Sequence, residues 1–97
     1  MRVIAKKTIK DFWFKHADSE QASKAWYQET SKAKWTSPND IKQEYPSASI
    51  LGNGRVVFNI KGNTYRLIVR INYPIQIIWV RFIGTHAEYD KVDAENI

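Results

Sequence analysis

Two turn sequences divide residues 55–85 into three segments of alternating apolar and polar side chains, and no other feature constrains the fold as strongly. Gly62-Asn63 and Pro74-Ile75 are pairs that favour reversal of the backbone. The segments beside them are rich in β-branched and aromatic residues, which suit strands. The sequence therefore predicts three consecutive antiparallel strands, Arg55–Ile60, Tyr65–Tyr73 and Gln76–Thr85, preceded by a weaker one at Ala48–Leu51.

The two turns also predict which residues face each other across the strands. When residues are paired across the strands by counting outward from each turn, apolar residues meet apolar residues on one face. Val56 pairs with Val69, which pairs with Val80, and Phe58 pairs with Leu67, which pairs with Phe82. Neighbouring residues of a strand point to opposite faces, so a shift by one residue would mix apolar and polar side chains. We therefore expect this apolar face, including Phe82, to be buried against other elements.

The opposite face of the predicted sheet carries cations and no carboxylate to pair with them. It comprises Arg55, Asn59 and Lys61 on the first strand, Arg66, Arg70 and Asn72 on the second, and Ile77, Trp79, Arg81 and Ile83 on the third. Arginine can bind a phosphate through two parallel hydrogen bonds, and a tryptophan ring can stack on a base or on a guanidinium. The pattern favours an anionic ligand. The alternative is a solvated sheet face that carries ordinary surface cations, which is compatible with the same residue pattern.

The first half of the chain has helical spacing. Ile9, Phe12 and Trp13 form an apolar stripe between Lys6 and His16. A second stripe follows two residues that favour helix starts, Asp18 and Ser19, and consists of Ala22, Ala25, Trp26 and Ala33. A short third helix begins at Ser37-Pro38 and ends before Pro46, and Arg2–Ala5 suits a short opening strand. Helices followed by strands predict a two-layer α+β domain with the N-terminal helices packed on a twisted antiparallel sheet.

Composition limits the classes of protein to which the chain can belong. Its 97 residues suffice for one domain, residues 1–97, and are too few for two independent cores. The absence of cysteine excludes disulfides and thiolate metal sites. No apolar stretch is long enough for a secretion signal or a membrane span, so we expect a soluble intracellular protein. The net charge of +5 favours an anionic partner such as nucleic acid, an anionic membrane or an acidic protein.

Several of these residues have the chemistry needed to cut RNA without a metal ion. Such cleavage needs one group that activates the ribose 2′-hydroxyl, one that stabilises charge on the phosphate, and one that protonates the leaving oxygen. Arg66, Arg81 and Lys61 are candidates for the phosphate role, and His86 and Tyr89 are candidates for proton transfer. A histidine that caps the strand and a tyrosine packed on the sheet would have the same spacing. The two histidines lie far apart and no acidic cluster is present, which argues against a catalytic metal.

Two segments of the chain resemble the HigB toxins of bacterial type II toxin–antitoxin systems, which belong to the RelE-like superfamily. They are Phe58-Asn-Ile-Lys-Gly-Asn-x-Tyr-Arg-Leu67 and Trp79-x-Arg-Phe-Ile-Gly-Thr-His-Ala-Glu-Tyr-Asp-Lys91, of which Gly84–Asp90 is the most specific part. The resemblance implies a RelE-like fold and a cytoplasmic bacterial mRNA endoribonuclease that needs no metal or other cofactor. It also implies cleavage of messages held in the ribosomal A site and neutralisation by a helix-turn-helix antitoxin, HigA.

The same resemblance implies a cleavage site made of Lys61, Arg66, Arg81, His86 and Tyr89. The three cations would contact the scissile phosphate, and the other two side chains would belong to the cleavage site without an assigned acid or base role. RNA beside the site would be bound by the rest of the basic face: Arg55, Asn59, Arg70 and Trp79. The alternative is a non-catalytic RNA- or protein-binding module whose basic sheet face only grips phosphate.

Overall fold

In a computed structural model, which describes all 97 residues, the helices lie mainly in the first half of the chain and the long strands in the second. The helices are α1 (Lys6–Lys15), α2 (Glu20–Lys32), α3 (Pro38–Glu44) and a short α4 (His86–Tyr89), with one 3-10 turn at Ala17–Ser19. The strands are β1 (Arg2–Ile4), β2 (Ser49–Ile50), β3 (Arg55–Ile60), β4 (Tyr65–Asn72) and β5 (Ile77–Thr85). None of the helices has the length and apolar content needed to cross a membrane.

The strands form one five-stranded sheet in the order β1-β5-β4-β3-β2. Helices pack on one face of this sheet, so the predicted two-layer α+β class is confirmed. The sheet is mixed, because the edge strand β1 pairs with β5 in the parallel direction while every other pair is antiparallel. Residue periodicity carries no information on strand direction, and β1 has no turn that ties it to its neighbour.

The core lies between the helices and the apolar face of the sheet. The residues predicted to meet there are buried: Ile9, Phe12 and Trp13 of α1, Trp26 of α2, and Val56, Phe58, Leu67, Val69 and Val80 of the sheet. Phe58 lies at the centre, where its ring contacts those of Trp26, Trp35 and Tyr45 at centroid distances of 5.4, 6.1 and 5.1 Å. Packing of large rings on both layers therefore holds the helices on the sheet.

The predicted apolar stripe of α2 is wrong at one position. Ala25 is exposed, whereas Ser23 and Thr30 are buried beside Trp26. These two residues lie three positions before and four after Trp26, on the same side of the helix. Hydrophobic spacing misses them because small hydroxyl side chains can fill a core position without adding to the apolar pattern.

The predicted register is confirmed for the first hairpin and for the start of the second. All six β3–β4 pairs match, from Ile60 opposite Tyr65 to Arg55 opposite Arg70. Across the second turn, Ile71 faces Ile78 and Val69 faces Val80, also as predicted. Local turn chemistry therefore specifies the pairing over most of the sheet.

A β-bulge breaks this register beyond Val69. Phe82 lies opposite Ile68 instead of Leu67, and Leu67 faces Ile83. The prediction that Phe82 lies on the buried apolar face and Ile83 on the basic face is therefore wrong: the two side chains exchange faces. The extra residue in β5 is Arg81, which has no partner across the strand pair. A bulge inserts one residue into one strand, so every later side chain of that strand changes face.

Candidate active site

The sheet face opposite the helices, here called the open face, carries the predicted cations. The register places Arg66 across from Asn59, and Arg70 across from both Arg55 and Trp79. No arginine of the chain makes an ion pair, since the pairs present are Lys24–Glu20, Lys61–Asp18 and His86–Asp90. Arg66 and Arg70 therefore have no carboxylate partner on the open face, which favours anion binding.

One cluster on this face brings together three of the predicted catalytic residues. The Arg66 guanidinium carbon lies 5.9 Å from the centre of the Tyr89 ring. The rings of His86 and Tyr89 are nearly perpendicular, with 6.3 Å between their centroids. The His86 Nδ1 atom lies 3.2 Å from the Asp90 carboxylate. Arg66 is further held by a 3.0 Å hydrogen bond that its Nη1 donates to the carbonyl of Asn63.

Asp90 was not among the predicted site residues. It lies four positions after His86, a spacing that places two side chains on one side of a helix. The four-residue spacing in the sequence therefore could have indicated the contact between His86 and Asp90. The side chains of His86 and Asp90 are 55% and 61% exposed, so a substrate can reach the imidazole.

The short helix that carries His86 and Tyr89 is held by its first turn. The backbone N–H of Thr85 donates to the Glu88 carboxylate at 2.8 Å, and the backbone N–H of Glu88 donates to the Thr85 hydroxyl at 3.2 Å. This reciprocal pair caps α4. Just before it, a Cβ at Gly84 would lie 2.6 Å from the Phe82 ring and 3.0 Å from the Glu88 carboxylate. Close packing at Gly84 and the cap together fix α4 against β5.

Acidification should loosen this cap. The hydrogen bonds from Thr85, first its backbone N–H and then its side chain, hold the pKa of Glu88 below its ordinary value. A lowered pKa means that the contribution of this carboxylate to stability is present above its unfolded-state pKa and is lost as the pH falls through the folded-state pKa. In an NMR pH series, we expect the Thr85 amide proton to follow this titration and Glu88→Gln to remove the response. A Glu88 midpoint at or above the ordinary value would contradict the prediction.

Arg81 lies on the open face, as predicted, but its contacts are in another part of that face. Its Nε donates to the backbone carbonyl oxygen of Ile97 at 3.4 Å, an oxygen that also accepts from Arg55 Nε at 3.2 Å. Asn53 Nδ2 donates to the Glu95 carbonyl at 3.2 Å. Ile97 therefore engages the two arginines of the open face, while Glu95 is held by Asn53.

The centre of the open face is apolar, at the position where the predicted register also pairs Val57 with Ile68. Val57 and Ile68 lie on this face, yet they are only 3% and 0% exposed. Phe82, which the bulge brings to the same side, is half-buried. The cations of the open face thus surround an apolar centre.

Lys61 is the predicted catalytic residue that the structure does not bring into the cluster. It lies in the β3–β4 turn, and its ammonium is 2.8 Å from an Asp18 carboxylate oxygen. The other Asp18 oxygen accepts from the Tyr65 hydroxyl at 2.6 Å, and Tyr65 packs its ring on Phe12 of the helix layer. Hydrogen bonds from Lys61 and Tyr65 hold the pKa of Asp18 below its ordinary value. Lys61 is therefore paired with the helix side of the domain.

Three predicted RNA-binding residues also have contacts of their own. The Arg70 guanidinium lies over the Trp79 ring at 5.4 Å, the stacking that the sequence suggested as one option for Trp79. Asn59 Nδ2 donates to the Ser47 carbonyl at 3.4 Å. Both contacts orient side chains along the open face.

The geometry of the cluster suits proton transfer next to a phosphate. A carboxylate beside an imidazole orients the ring. The guanidinium of Arg66 supplies a fork of donors for phosphate oxygens. No three His, Cys, Asp or Glu side chains lie close enough together to hold a metal ion.

Comparison with known proteins points to one family. The sequence profile described as HigB_toxin, RelE-like toxic component of a toxin-antitoxin system, matches residues 19–92. The chain is 26% identical over 94 residues to the mRNA interferase HigB of Escherichia coli O6:H1 (strain CFT073), covering 95% of this chain and 91% of that protein. It is 27% identical over 92 residues to the mRNA interferase toxin HigB of E. coli strain K12, covering 93% of this chain and 88% of that protein. The mRNA interferase HigB of Shigella flexneri matches to the same extent, with 27% identity.

Proposed function

Because this chain belongs to the HigB toxin family, the RelE-like toxic components of toxin–antitoxin systems, we propose that it is an endoribonuclease that cleaves messenger RNA and arrests growth. The observation that carries this proposal is the cluster of Arg66, His86 and Tyr89 on the open face, in which Arg66 has no carboxylate partner. Two relatives aligned over most of both chains are named mRNA interferases, which supports the same activity.

We propose that the cluster supports a metal-independent cleavage. The ribose 2′-oxygen attacks the adjacent phosphorus and loses its proton, while the bond from phosphorus to the 5′-oxygen breaks and that oxygen gains a proton. The products are a 2′,3′-cyclic phosphate and a 5′-hydroxyl. We assign proton transfer to His86, oriented by Asp90 and flanked by Tyr89, and stabilisation of the charge on the phosphate to Arg66.

Two further cations reach the phosphate only after their present contacts change. Arg81 would have to leave the Ile97 carbonyl, and Lys61 would have to leave Asp18. Both contacts are partly exposed, so a highly charged RNA can compete for them. We propose that they add phosphate contacts to the site once RNA is bound.

The rest of the open face is proposed to hold the message on either side of the cut. Arg55 and Arg70 would contact phosphates, and Asn59 and Trp79 would contact bases. The site has one histidine and no second histidine to divide the acid and base roles. We therefore expect slow cleavage when nothing positions the RNA. We therefore propose that the ribosomal A site positions the message, and that a HigA-like helix-turn-helix antitoxin neutralises the protein in the bacterial cytoplasm.

Expression in cells tests the proposal with a matched pair of histidines. Induction of the parent and of His16→Ala should arrest growth, and primer extension should show cuts in messenger RNA. His86→Ala should arrest growth less and cut less, because His16 stacks on Phe12 at 4.4 Å in the helix layer and lies outside the cluster. Adding ribosomes to purified protein and RNA should increase cleavage. If the parent binds RNA but neither cuts it nor arrests growth, the protein is a non-catalytic binding module instead.

A further inference from the structure

A groove between α1 and α2 lies on the helix layer, on the other side of the molecule from the open face. It encloses about 470 Å³ and is lined mainly by three lysines and three aromatic residues: Lys6, Lys10, Lys24, Trp13, Phe14 and Tyr27. None of these residues belongs to the proposed cleavage site. The groove therefore needs a separate explanation.

The lysines of the groove are arranged around its aromatic rings. The Lys6 ammonium lies 4.7 Å from the centre of the Tyr27 ring, and the Lys24 ammonium lies 5.4 Å from the centre of the Trp13 ring. Lys24 also pairs with Glu20 at 2.6 Å, whereas Lys6 and Lys10 have no carboxylate partner. The groove thus combines an apolar floor with two cations that are free to pair with an acidic ligand.

Phe14 is the most exposed large apolar residue of the protein. The residue is 70% exposed, compared with 55% for Ile75 and 38% for Ile50. It lies on α1 beside the buried Phe12 and Trp13, so the helix presents apolar side chains both toward the core and toward solvent. An exposed aromatic residue at the edge of a basic groove is typical of a protein contact.

The same features argue against RNA as the ligand of this groove. All five arginines lie on the strands, so the residue type best suited to phosphate is absent from the groove. The Lys6 and Lys24 ammoniums lie over aromatic rings, and this apolar surface next to the cations favours an amphipathic protein segment over a nucleic acid backbone.

We propose that the α1–α2 groove docks an acidic, amphipathic segment of the antitoxin. Carboxylates of that segment pair with Lys6 and Lys10, and one of its apolar side chains covers Phe14. Lys6 and Lys10 are four positions apart and lie on the same side of α1, which matches acidic residues one helical turn apart on the partner. An antitoxin partner is expected because the chain belongs to a family of toxin–antitoxin toxins, and its docking does not depend on RNA cleavage.

Binding of the purified protein to its antitoxin tests the proposal with charge-matched and apolar controls. Phe14→Ala and the double variant Lys6→Glu/Lys10→Glu should each weaken the affinity by about tenfold or more. The double variant Lys7→Glu/Lys32→Glu has the same net charge on exposed lysines outside the groove, and Ile75→Ala removes an exposed apolar side chain elsewhere. Both controls should bind like the parent to within about threefold. Association of the parent should slow as salt rises, and less so for Lys6→Glu/Lys10→Glu.

Two outcomes overturn the proposal. One is that folded Phe14→Ala and Lys6→Glu/Lys10→Glu bind the antitoxin as the parent does. The other is that these variants lose affinity for a 20-nucleotide single-stranded RNA and not for the antitoxin, which would make the groove an RNA site. Growth arrest separates this result from the proposed activity, because groove variants expressed without antitoxin should still arrest growth. If the parent causes no growth arrest, the proposed activity is refuted, and the binding measurements still test whether the groove docks the antitoxin.

Discussion

Replacing Arg66 by alanine should lower the rate of mRNA cleavage by about 10²–10³, the usual loss for one preorganised donor to a developing charge. Arg66 is half-buried on the open face, is held by the Asn63 carbonyl, and lies over Tyr89 next to His86. No carboxylate neutralises it, so its charge is available to the phosphate. Primer extension on messenger RNA from induced cells, together with initial rates on purified RNA, measures the effect.

Other arginines of the open face serve as controls for this result. We expect Arg81→Ala to lose activity to a similar extent, since Arg81 is proposed to contact the phosphate after leaving Ile97. Arg70→Ala should mainly weaken RNA affinity and reduce its dependence on salt, because Arg70 stacks on Trp79 and lies outside the cluster. Arg55→Ala should behave like Arg70→Ala. If folded Arg66→Ala and Arg81→Ala proteins both cut RNA at the parent rate, the active site lies elsewhere.

The second large effect concerns stability. Leu67→Ala should lower the free energy of unfolding by about 2–5 kcal/mol, because it removes a fully buried side chain from the centre of the core and leaves a cavity. The free energy of unfolding of a small domain is about 5–15 kcal/mol, so this loss is a large fraction of it. Urea unfolding followed by tryptophan fluorescence measures the loss.

Phe82→Ala is the informative comparison for Leu67→Ala. The bulge at Arg81 places Phe82 on the open face, where it is only half-buried, so its truncation should cost less. Without the bulge, Phe82 would pack opposite Leu67 in the core, and the two truncations would cost similar amounts. Equal losses of unfolding free energy would therefore contradict the observed register.

The sequence alone predicted the elements that local chemistry controls. Turn residues at Gly62-Asn63 and Pro74-Ile75 defined two hairpins, and strand alternation then assigned the faces of β3 and β4 correctly. Helical spacing identified α1 and its buried residues for the same reason, since each pattern depends only on neighbours along the chain. The basic composition of the open face followed from the same alternation.

The candidate site was predicted in part. Spacing placed His86 and Tyr89 on one helical turn, and the predicted strands placed Arg66 near the end where His86 begins, so these three residues could be grouped in advance. The pairing of Arg66 with Gly84 itself depends on the bulge. The partners of Lys61 and Arg81 could not, because Asp18 and Ile97 are distant in sequence and reach them only through the tertiary fold. The residues that neighbour a cation in the sequence do not indicate which distant acceptor it will contact.

Three features were decided by the tertiary structure alone: the bulge at Arg81, the parallel pairing of β1, and the contact of Ile97 with the arginines of the open face. Alternation assumes an unbroken strand, and it gives the same pattern for either strand direction. The bulge exchanges Phe82 and Ile83 between faces, so Ile83 packs against the core and Phe82 adds to the apolar centre of the open face. The residue pattern determined which faces exist, while packing between distant segments decided which side chains of β5 occupy them.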